Sequence, residues 1–448
     1  MTEKTYVARG GAALDLCEKE LEELFSSALS EALSDINNSG PVIVIPPDIT
    51  RFHSGAGFLT DVASRGLGDR LGAVLPALGT HMSMSVMELE RMFPNTPKEK
   101  FLVHDWRSGI SELGRIEADW VEKTFAGAVR YDWPVQVNKL LRKDVPGSGC
   151  FSMILSIGQV VPHEVAGMAN HAKNIFVGTG GKEAIDKSHF AGAAFGMEKM
   201  MGRIDTPVRS LFDEGLRRYA ADLPPILWAL TVVGARSDSE NTGKARGSLA
   251  VRGLYIGFGR QCFEKAANLA REVNVETMDE PLHKAVVYLE PGEYRTTWLG
   301  NKAIYRTRMA VADGGELLIL APALERFGED QGIDALIRKH GYRPGNEIIN
   351  KVKNETELGE NLSAAAHLIH GSSEGRFTIR YCPGPGLGRK EIESVGFEWG
   401  DLKEALEKYN VKKLKPGWNT LPDGERIFFV FNPALGLWAK RQRFFNQQ

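Results

Sequence analysis

The sequence predicts an α/β fold, with two α/β domains built on mostly parallel sheets and an active-site cleft between the domains. From residue 40 onward, short runs of apolar residues alternate with helical patterns, which is typical of βαβ units around a parallel sheet. The chain of 448 residues, 43% of them hydrophobic, is also too long for one ordinary core. Two domains, each able to bury a full core, account for its length.

The first half of the chain contains the strand and helix patterns of the first predicted domain. Ser85 and Glu88 have the spacing of a capping box and predict the start of a helix, and residues 262–273 have helical periodicity. Apolar runs that predict buried strands occur at 41–47, 71–80, 151–158, 174–181 and 226–235.

A polar, proline-containing segment at 274–283 predicts a linker. We therefore expect an N-terminal domain over 1–275, carrying the cofactor and acid/base motifs, and a C-terminal domain over 276–448 that closes the cleft. The last roughly 20 residues are free to pack back on the N-terminal domain. The second α/β series comprises apolar runs at 284–290, 315–322, 377–383 and 428–434 and helices at 301–312 and 331–340.

Composition excludes several classes of partner and location. Lys and Arg total 55 against 57 Asp and Glu, so no net field attracts nucleic acid or an anionic membrane. The sequence has no secretory signal and no transmembrane stretch, so we expect a cytoplasmic enzyme with a small-molecule substrate. The four cysteines, Cys17, Cys150, Cys262 and Cys382, lie far apart and predict reduced packing residues, without a disulfide framework or a thiolate zinc site.

The first motif that carries chemistry follows the apolar run at 41–47. Asp48, Thr50 and Arg51 stand at the end of this predicted strand, where side chains project from the sheet into a crevice. The guanidinium of Arg51 offers a planar fork for a carboxylate or phosphate. The same residues are also compatible with an ordinary turn and a solvated arginine.

Two histidines occupy positions where strands are expected to end. His81 lies between the second apolar run and the capped helix, and an imidazole there can exchange protons near neutral pH. A structural role is the alternative for a single histidine at such a place. His104 has the same ambiguity with less support.

The stretch 158–190 is the richest in ionisable groups, which stand among glycines and apolar residues. A core would reject so many ionisable groups unless they had a function. Known templates fail here, because GTGGK lacks the first glycine and the Ser or Thr of a P-loop, and no HExxH motif exists. The groups are His163, His171, Lys173, Lys182, Lys187 and His189.

Taken together, these motifs resemble the nickel-dependent lactate racemase family, whose members use a nickel-pincer nucleotide. The family's Asp-x-Thr-Arg loop, its Gly-x-His segment and its Pro-His motif match in order and spacing, as do a lysine ten residues later and a histidine sixteen beyond it. A later lysine, Lys302, is similar to the one near the substrate. The matched residues are Asp48, Thr50, Arg51, His81, Pro162, His163, Lys173 and His189.

The resemblance implies a role for each matched residue. It gives His81 and His163 as the acid/base pair that acts on the two faces of a 2-hydroxy acid. It gives Lys173 as the residue that tethers the cofactor through a thioamide and His189 as the nickel ligand. Its remaining assignments are cofactor contacts for Asp48 and Thr50 and substrate contacts for Arg51 and Lys302. Trp298 and His171 stand where this chain departs from the family, and we expect them to contact the substrate.

The resemblance implies a racemase or epimerase that inverts C2 of a 2-hydroxy acid and depends on proteins that synthesise its cofactor. Protein made without them would lack the cofactor. Before Lys173, however, this chain has residues 168–172, MANHA, where the family has Ser and Gly, so a substrate larger than lactate, such as gluconate, fits at least as well.

One alternative function is an oxidoreductase or hydrolase with a simpler metal held by His163, His171 and His189. Another is a binding homologue without turnover.

Overall fold

The computed structural model describes residues 3–36, 38–143, 151–236, 248–434 and 436–445. The chain forms two compact units, an N-terminal unit of residues 1–188 and 202–274 and a C-terminal unit of residues 189–201 and 275–448. Both contain a mostly parallel sheet flanked by helices. The predicted α/β class with mostly parallel sheets is therefore confirmed.

The elements of the first part of the chain carry the N-terminal sheet and the site described below. In chain order they are β1 (Lys4–Gly10), α1 (Glu18–Ile36), β2 (Val42–Ile45), α2 (Ala56–Leu67), β3 (Leu71–Val74), α3 (Val86–Met92), β4 (Ile110–Ile116), α4 (Ala118–Thr124), β5 (Trp133–Asn138), β6 (Met153–Gln159), β7 (Pro162–His163), β8 (Gly167–Met168), α5 (Lys182–Phe195), α6 (Pro207–Tyr219), β9 (Ile226–Ala235), β10 (Leu249–Phe258) and α7 (Gln261–Asn274).

The remaining elements belong to the C-terminal unit. In chain order they are β11 (Val275–Met278), β12 (Leu282–Tyr288), α8 (Thr297–Gly300), α9 (Lys302–Thr307), β13 (Val311–Ala321), α10 (Gln331–His340), α11 (Gly345–Asn354), α12 (Thr356–Gly359), α13 (Leu362–His370), β14 (Thr378–Pro383), α14 (Arg389–Ser394), β15 (Glu398–Trp399), α15 (Leu402–Lys408), β16 (Gly417–Thr420), β17 (Arg426–Val430), β18 (Leu437–Lys440) and α16 (Arg441–Phe445).

The N-terminal sheet has the strand order β1-β10-β9-β6-β2-β3. The pairs β9·β6, β6·β2 and β2·β3 are parallel, whereas β1·β10 and β10·β9 are antiparallel. All residues of β2 and β6 are buried, which explains why both strands are continuous apolar runs. Because β6, β2 and β3 are parallel neighbours, their carboxyl ends lie at one edge of the sheet, where α/β folds place ligands.

Helices cover both faces of this sheet. Leu21 and Phe25 of α1 and Leu59 of α2 pack with the strands in one hydrophobic core. A second aromatic cluster joins Trp133, Phe176 and Phe212, with ring centroids 5.7 to 6.5 Å apart. The sheet and the segment around the π-helix are therefore each held by a well-packed cluster.

Two sequence predictions in this region were wrong. Residues 174–181, predicted as a buried strand from their Ile, Phe and Val content, begin with a π-helix over Asn174–Gly178. Its side chains satisfy the same apolar pattern by packing in the aromatic cluster, so local propensity did not decide the element. The predicted linker at 274–283 contains β11, which pairs in parallel with β18 near the C-terminus.

The C-terminal sheet has the order β15-β14-β13-β12-β17-β16, in which only the edge pair β17·β16 is antiparallel among the described strands. A separate apolar cluster of this unit contains Met197 and Met201 together with Met309, Leu437 and Phe444. Residues 189–201 therefore contribute to this core, and a single boundary near 275 does not describe the division. Phe444, near the end of the described residues, packs in this cluster of the C-terminal unit.

The cysteines agree only in part with their predicted packing role. Cys262 and Cys382 are buried and free, whereas Cys17 is exposed and Cys150 lies outside the described residues. Within the described parts of the chain, no helix combines the length and apolarity needed to span a bilayer.

Candidate active site

The loop that follows β2 supplies a buried carboxylate and a guanidinium. Asp48 is the N-cap of a short 3₁₀ helix over Ile49–Ser54, and its Oδ1 accepts hydrogen bonds from the backbone N–H and the hydroxyl of Thr50. Arg51 interrupts this helix with φ −116° and ψ 30° and remains partly exposed. Both groups stand at the carboxyl end of a central strand.

Asp48 is hydrogen-bonded to His81, which lies in the loop after β3. Its Oδ2 is 2.6 Å from Nδ1 of His81, and the His81 side chain is 47% exposed whereas that of Asp48 is 7% exposed. Burial opposes ionisation of Asp48, but the hydrogen bonds from His81 and Thr50 outweigh it and lower the pKa of the carboxyl group. The ionised carboxylate accepts the Nδ1 hydrogen, so Nε2 of a neutral His81 carries a lone pair and can accept a proton.

His163 is held in the opposite tautomer. It lies in the hairpin of β7 and β8, and its Nδ1 accepts the backbone N–H groups of Val165 at 3.1 Å and Ala166 at 3.4 Å. A neutral imidazole that accepts at Nδ1 carries its hydrogen on Nε2. Nε2 lies 3.8 Å from Oε1 of Glu164. His163 is therefore a donor at Nε2, where His81 is an acceptor.

Lys173 precedes the π-helix and is surrounded by charged groups of the same unit. It retains some exposed surface, yet burial in dense protein, together with the positive charge of Arg51, lowers the pKa of its amine to about 8. The carboxylates of Glu164 and Asp48 act in the opposite direction. These interactions place the loops after β2 and β6 close to the amine.

The side chain after Lys173 anchors it to the central strands. Asn174 donates from Nδ2 to Oγ of Ser156 in β6 at 2.9 Å and to the carbonyl of Ile45 in β2 at 3.4 Å. The N–H of Gly79 donates to the carbonyl of Gly178 at 2.9 Å, which ties the His81 loop to the end of the π-helix. π-Helical turns are rare and are frequent at functional sites.

His171, predicted to contact the substrate, has its ring enclosed in the core. It packs against Trp228 with centroids 4.4 Å apart and stacks on Phe263 at 5.1 Å, and Nε2 lies 3.3 Å from the carbonyl of Gly259. Burial lowers the pKa of the imidazole well below its usual value, and Arg209 adds to this effect. These contacts favour a structural role for His171 over substrate binding.

His104 has the structural role that was its alternative. Its Nε2 donates to the carbonyl of Gly180 at 3.0 Å, and Nδ1 accepts from Nδ2 of Asn138 at 3.0 Å. Burial lowers the pKa of this imidazole. His104 thus links the end of β5 to the loop between the π-helix and α5.

The other predicted residues lie in or next to the C-terminal unit. His189 is on α5, in the part of this helix that belongs to the C-terminal unit. Lys302 begins α9, with its ammonium 5.6 Å from the ring centroid of Tyr294. Trp298 in α8 packs on His367 with ring centroids 4.4 Å apart.

Sequence reasoning did not single out two groups near Lys173. Glu164 directly follows His163, and its position in the Pro-His motif was a usable signal. Arg209 is fully buried in α6 and has no local signal, because its importance depends on contacts across the fold. It donates to two backbone carbonyls just before Lys173, those of Met168 and Asn170.

Asp48 and Thr50 were predicted to contact the cofactor, but in the structure Thr50 binds Asp48 and Asp48 binds His81. Both carboxylate oxygens of Asp48 are engaged, one by Thr50 and the other by His81. Among the residues described, no cluster of three or more His, Cys, Asp or Glu side chains is arranged to hold a metal ion.

Comparison with known families identifies the region that carries these residues. Residues 14–201 match the profile of the lactate racemase N-terminal domain. This region is a lactate racemase N-terminal domain. The resemblance inferred from the motifs between Asp48 and His189 is thereby confirmed at the level of the family.

Solved structures are similar to this chain over both units at the level of the fold. A crystal structure of a Thermotoga maritima protein is 23% identical with a TM-score of 0.77, covering 96% of this chain and 100% of that one. The lactate racemase apoprotein of Thermoanaerobacterium thermosaccharolyticum is 16% identical with a TM-score of 0.67, covering 96% of this chain and 94% of that one. No match is found among curated proteins.

Proposed function

We propose that this protein is a racemase or epimerase that inverts C2 of a 2-hydroxy acid with a nickel-pincer nucleotide attached to Lys173. The family of the N-terminal domain supports an isomerase of this kind. The observation that carries the proposal is the pair of histidines in opposite tautomers, His81 oriented by Asp48 and His163 oriented by backbone N–H groups. Both follow strands whose carboxyl ends lie at one edge of the sheet.

The two tautomers suit the first half of a stereochemical inversion. Nε2 of His81 accepts the hydroxyl proton of one enantiomer, and Asp48 stabilises the imidazolium that forms. Nε2 of His163 presents a hydrogen to the oxygen of a substrate of the opposite hand. For Nε2 of His163 to give up this hydrogen as a proton without leaving an imidazolate anion, Nδ1 must take up a proton from solvent and release the N–H groups of Val165 and Ala166.

Arg51 is the proposed substrate anchor in the N-terminal unit. Its guanidinium can bind the substrate carboxylate through two parallel hydrogen bonds, which fixes one end of the molecule and leaves C2 between the acid/base groups. Lys302 and Trp298 are proposed to complete the substrate contacts. The residues before Lys173 differ from those of lactate enzymes, and a polyhydroxy acid such as gluconate is as good a candidate as lactate.

Lys173 fits the attachment of the cofactor. A covalent bond to a lysine requires the uncharged amine, and the pKa of about 8 leaves a substantial neutral fraction near neutral pH. His189 is the proposed nickel ligand, since a neutral imidazole suits this metal. When bound, the nickel-pincer nucleotide supplies the acceptor for the hydrogen of C2. We propose that the protein works in the cytoplasm, where accessory proteins synthesise this cofactor.

The contacts of the histidines weigh against a simpler metal held by His163, His171 and His189. Nδ1 of His163 is engaged by two N–H groups, and Nε2 of His171 faces a backbone carbonyl with the ring enclosed. Neither ring presents these nitrogens to a shared metal. A non-catalytic binding role gives no reason for an Asp48–His81 pair, because binding alone needs no proton acceptor.

The test is production of the full chain together with the proteins that make the cofactor. We expect intact-mass measurement to find an added mass on the Lys173 peptide, and chiral analysis to find interconversion of at least one pair of 2-hydroxy acid stereoisomers with exchange of the hydroxyl proton. Lys173→Ala should lose both the mass and the activity. His81→Gln should keep the mass and lose the activity. An added mass with no interconversion across a broad set of stereoisomers would overturn the racemase assignment.

A further inference from the structure

The backbone before Lys173 adopts a conformation that ordinary side chains disfavour. Asn170 has φ +69° and His171 has φ +57°, so two consecutive residues occupy the left-handed region. Among the other non-glycine residues described, only Ala126 and Glu374 have positive φ. Such a conformation costs roughly 1 to 3 kcal/mol per residue and persists only where the surroundings enforce it. We call residues 170–171 the left-handed turn.

Arg209 holds the left-handed turn through its backbone. Its guanidinium donates from Nη1 to the carbonyl of Asn170 at 3.1 Å and from Nη2 to the carbonyl of Met168 at 2.6 Å. It also lies over the ring of Phe263, 4.4 Å from the centroid. The side chain is fully buried, so these contacts are not exchanged with water.

The side chains of Asn170 and His171 also stabilise the left-handed turn. Oδ1 of Asn170 accepts the N–H of His171 at 2.7 Å, and its amide nitrogen would lie 2.3 Å from a Cβ atom placed on Gly158. The absence of a side chain at Gly158 therefore makes room for Asn170 at the end of β6. The stacking of His171 between Trp228 and Phe263 then fixes the second residue of the turn.

The turn leads directly into the segment that carries the amine. The N–H of Asn174 donates to the carbonyl of His171 at 2.7 Å, and the side chain of Asn174 is anchored on β6 and β2. Lys173 is therefore fixed on one side by the left-handed turn and on the other by Asn174. Its backbone has little freedom to move the amine away from Arg51 and Asp48.

We propose that Arg209, through the left-handed turn of Asn170 and His171, positions the Lys173 amine for its covalent bond to the cofactor. Arg209 is a positioning residue, since it acts through the backbone and touches neither cofactor nor substrate. The inference rests on the proposed attachment of the cofactor to Lys173. The left-handed turn lies in the segment before the lysine where the resemblance implies small residues.

The positive charge of Arg209 favours the reactive, neutral form of the Lys173 amine, as its positioning role does. The charged groups that affect the Lys173 amine are Arg51 and Arg209, which lower its pKa, and Glu164 and Asp48, which raise it. Loss of Arg209 removes a positive charge and loosens the protein around the amine. Both changes favour the protonated form, which does not acylate.

The experiment measures the reactivity of Lys173 in the full chain made without the cofactor proteins. Trace acetic anhydride acetylates each neutral amine with loss of acetate and a proton, and peptide mass spectrometry gives the rate for Lys173 relative to exposed Lys19 as pH varies. We expect the Lys173 midpoint near 8 in the wild type. Arg209→Met should raise this midpoint by about one pH unit, which is a tenfold change in the neutral fraction.

Arg252 provides the matched control. It is also a buried arginine of the N-terminal unit, and it donates to the carbonyls of Leu14 and Ala235 at 2.8 Å each. Arg252→Met should lower the melting temperature as Arg209→Met does and leave the Lys173 midpoint unchanged. If Arg209→Met does not fold, Arg209→Lys is the substitute, because it keeps the positive charge and loses the paired N–H donors of the guanidinium. It should raise the Lys173 midpoint by a smaller amount.

Glycine at both positions of the left-handed turn distinguishes positioning from simple stabilisation. In an Asn170→Gly, His171→Gly background, glycine adopts the left-handed conformation without strain, so the turn depends less on Arg209. Arg209→Met should then raise the Lys173 midpoint by less than it does in the wild type. Should the double variant fail to fold, Asn170→Gly alone gives the same comparison. Equal shifts in both backgrounds, or equal midpoints for the Arg209 and Arg252 variants, would overturn the proposal. None of these outcomes depends on racemase activity, so the two proposals fail separately.

Discussion

At the scale of single residues, two different kinds of partner fix the two imidazoles. His81 donates to a buried carboxylate, whose negative charge stabilises any proton that arrives at Nε2. His163 accepts from backbone N–H groups, which favour the neutral ring and leave a hydrogen on Nε2. The pair is therefore chemically unequal although both residues are histidines. Of the two histidines, only His81 therefore depends on an ionised partner, and that partner is Asp48.

Replacement of Asp48 tests that requirement. Asp48→Asn keeps the size of the side chain but removes the charge and the preference for the Nδ1–H tautomer of His81, so we expect kcat of the loaded enzyme to fall by about 10³ to 10⁴, as in other Asp–His pairs. Steady-state kinetics on the loaded variant measure the effect.

Asp61 is the control for Asp48, because it is also a buried carboxylate and binds Asn95 and Thr96. Asp61→Asn should lower the melting temperature and leave kcat within a fewfold of the wild type. A kcat for Asp48→Asn close to that of Asp61→Asn would contradict the proposed role.

At the scale of elements, the sequence pattern correctly predicted helices and strands whose formation depends mainly on neighbouring residues. The strand at 226–235 and the helix at 331–340 have the predicted bounds, and the Ser85–Glu88 capping box is present. The π-helix and β11 were missed because both depend on partners distant in sequence, the aromatic cluster for one and β18 for the other. The Asp48–His81 pair was missed for the same reason, although the two residues were each identified as site candidates.

The link that His104 makes between β5 and the loop at 178–181 predicts a pH dependence of stability. Burial places the pKa of His104 below its usual value of 6.5, so the unfolded chain binds more protons as pH falls below 6.5. Stability should therefore be fully present above 6.5 and fall on acidification, by about 1.4 kcal/mol for each unit by which the pKa is lowered.

Urea unfolding of the full chain between pH 7.5 and 5 measures this effect of His104. In His104→Gln the amide can donate to Gly180 and accept from Asn138 without titrating, so the loss on acidification should be smaller than in the wild type. His171 remains a second contributor in both proteins, because its pKa is also lowered. Identical pH profiles for the two proteins would exclude a contribution from His104.

At the scale of the whole molecule, the chain does not complete one unit before it begins the other. Residues 189–201 belong to the C-terminal unit although they precede residues 202–274 of the N-terminal unit. Within this segment Glu198 binds two arginines of the C-terminal unit, Arg308 at 3.0 Å and Arg376 at 3.1 Å. The Arg308 side chain is only 5% exposed, and its other carboxylate partner, Glu374, is more distant at 3.7 Å.

Glu198→Gln should therefore destabilise the C-terminal unit. Loss of the charge leaves the buried guanidinium of Arg308 with only the longer contact to Glu374, and we expect the free energy of unfolding to fall by about 2 kcal/mol. Urea unfolding followed by the fluorescence of the tryptophans measures the change. Glu393→Gln removes an exposed carboxylate 3.9 Å from Arg389 and should change the free energy by less than about 0.5 kcal/mol. Equal effects of the two substitutions would contradict the dependence on Glu198.

The early position of residues 189–201 also has a consequence for biogenesis on the ribosome. Met197 and Met201 leave the exit tunnel long before Met309, Leu437 and Phe444, with which they share a core. Until Leu437 and Phe444 have been synthesised, the native cluster around these methionines is incomplete, so the nascent chain exposes an apolar segment to other molecules. Emergence of Leu437 and Phe444, and not synthesis of the first domain, is then the step that allows the cluster to form completely and ends the exposure of these methionines to aggregation and to chaperone capture.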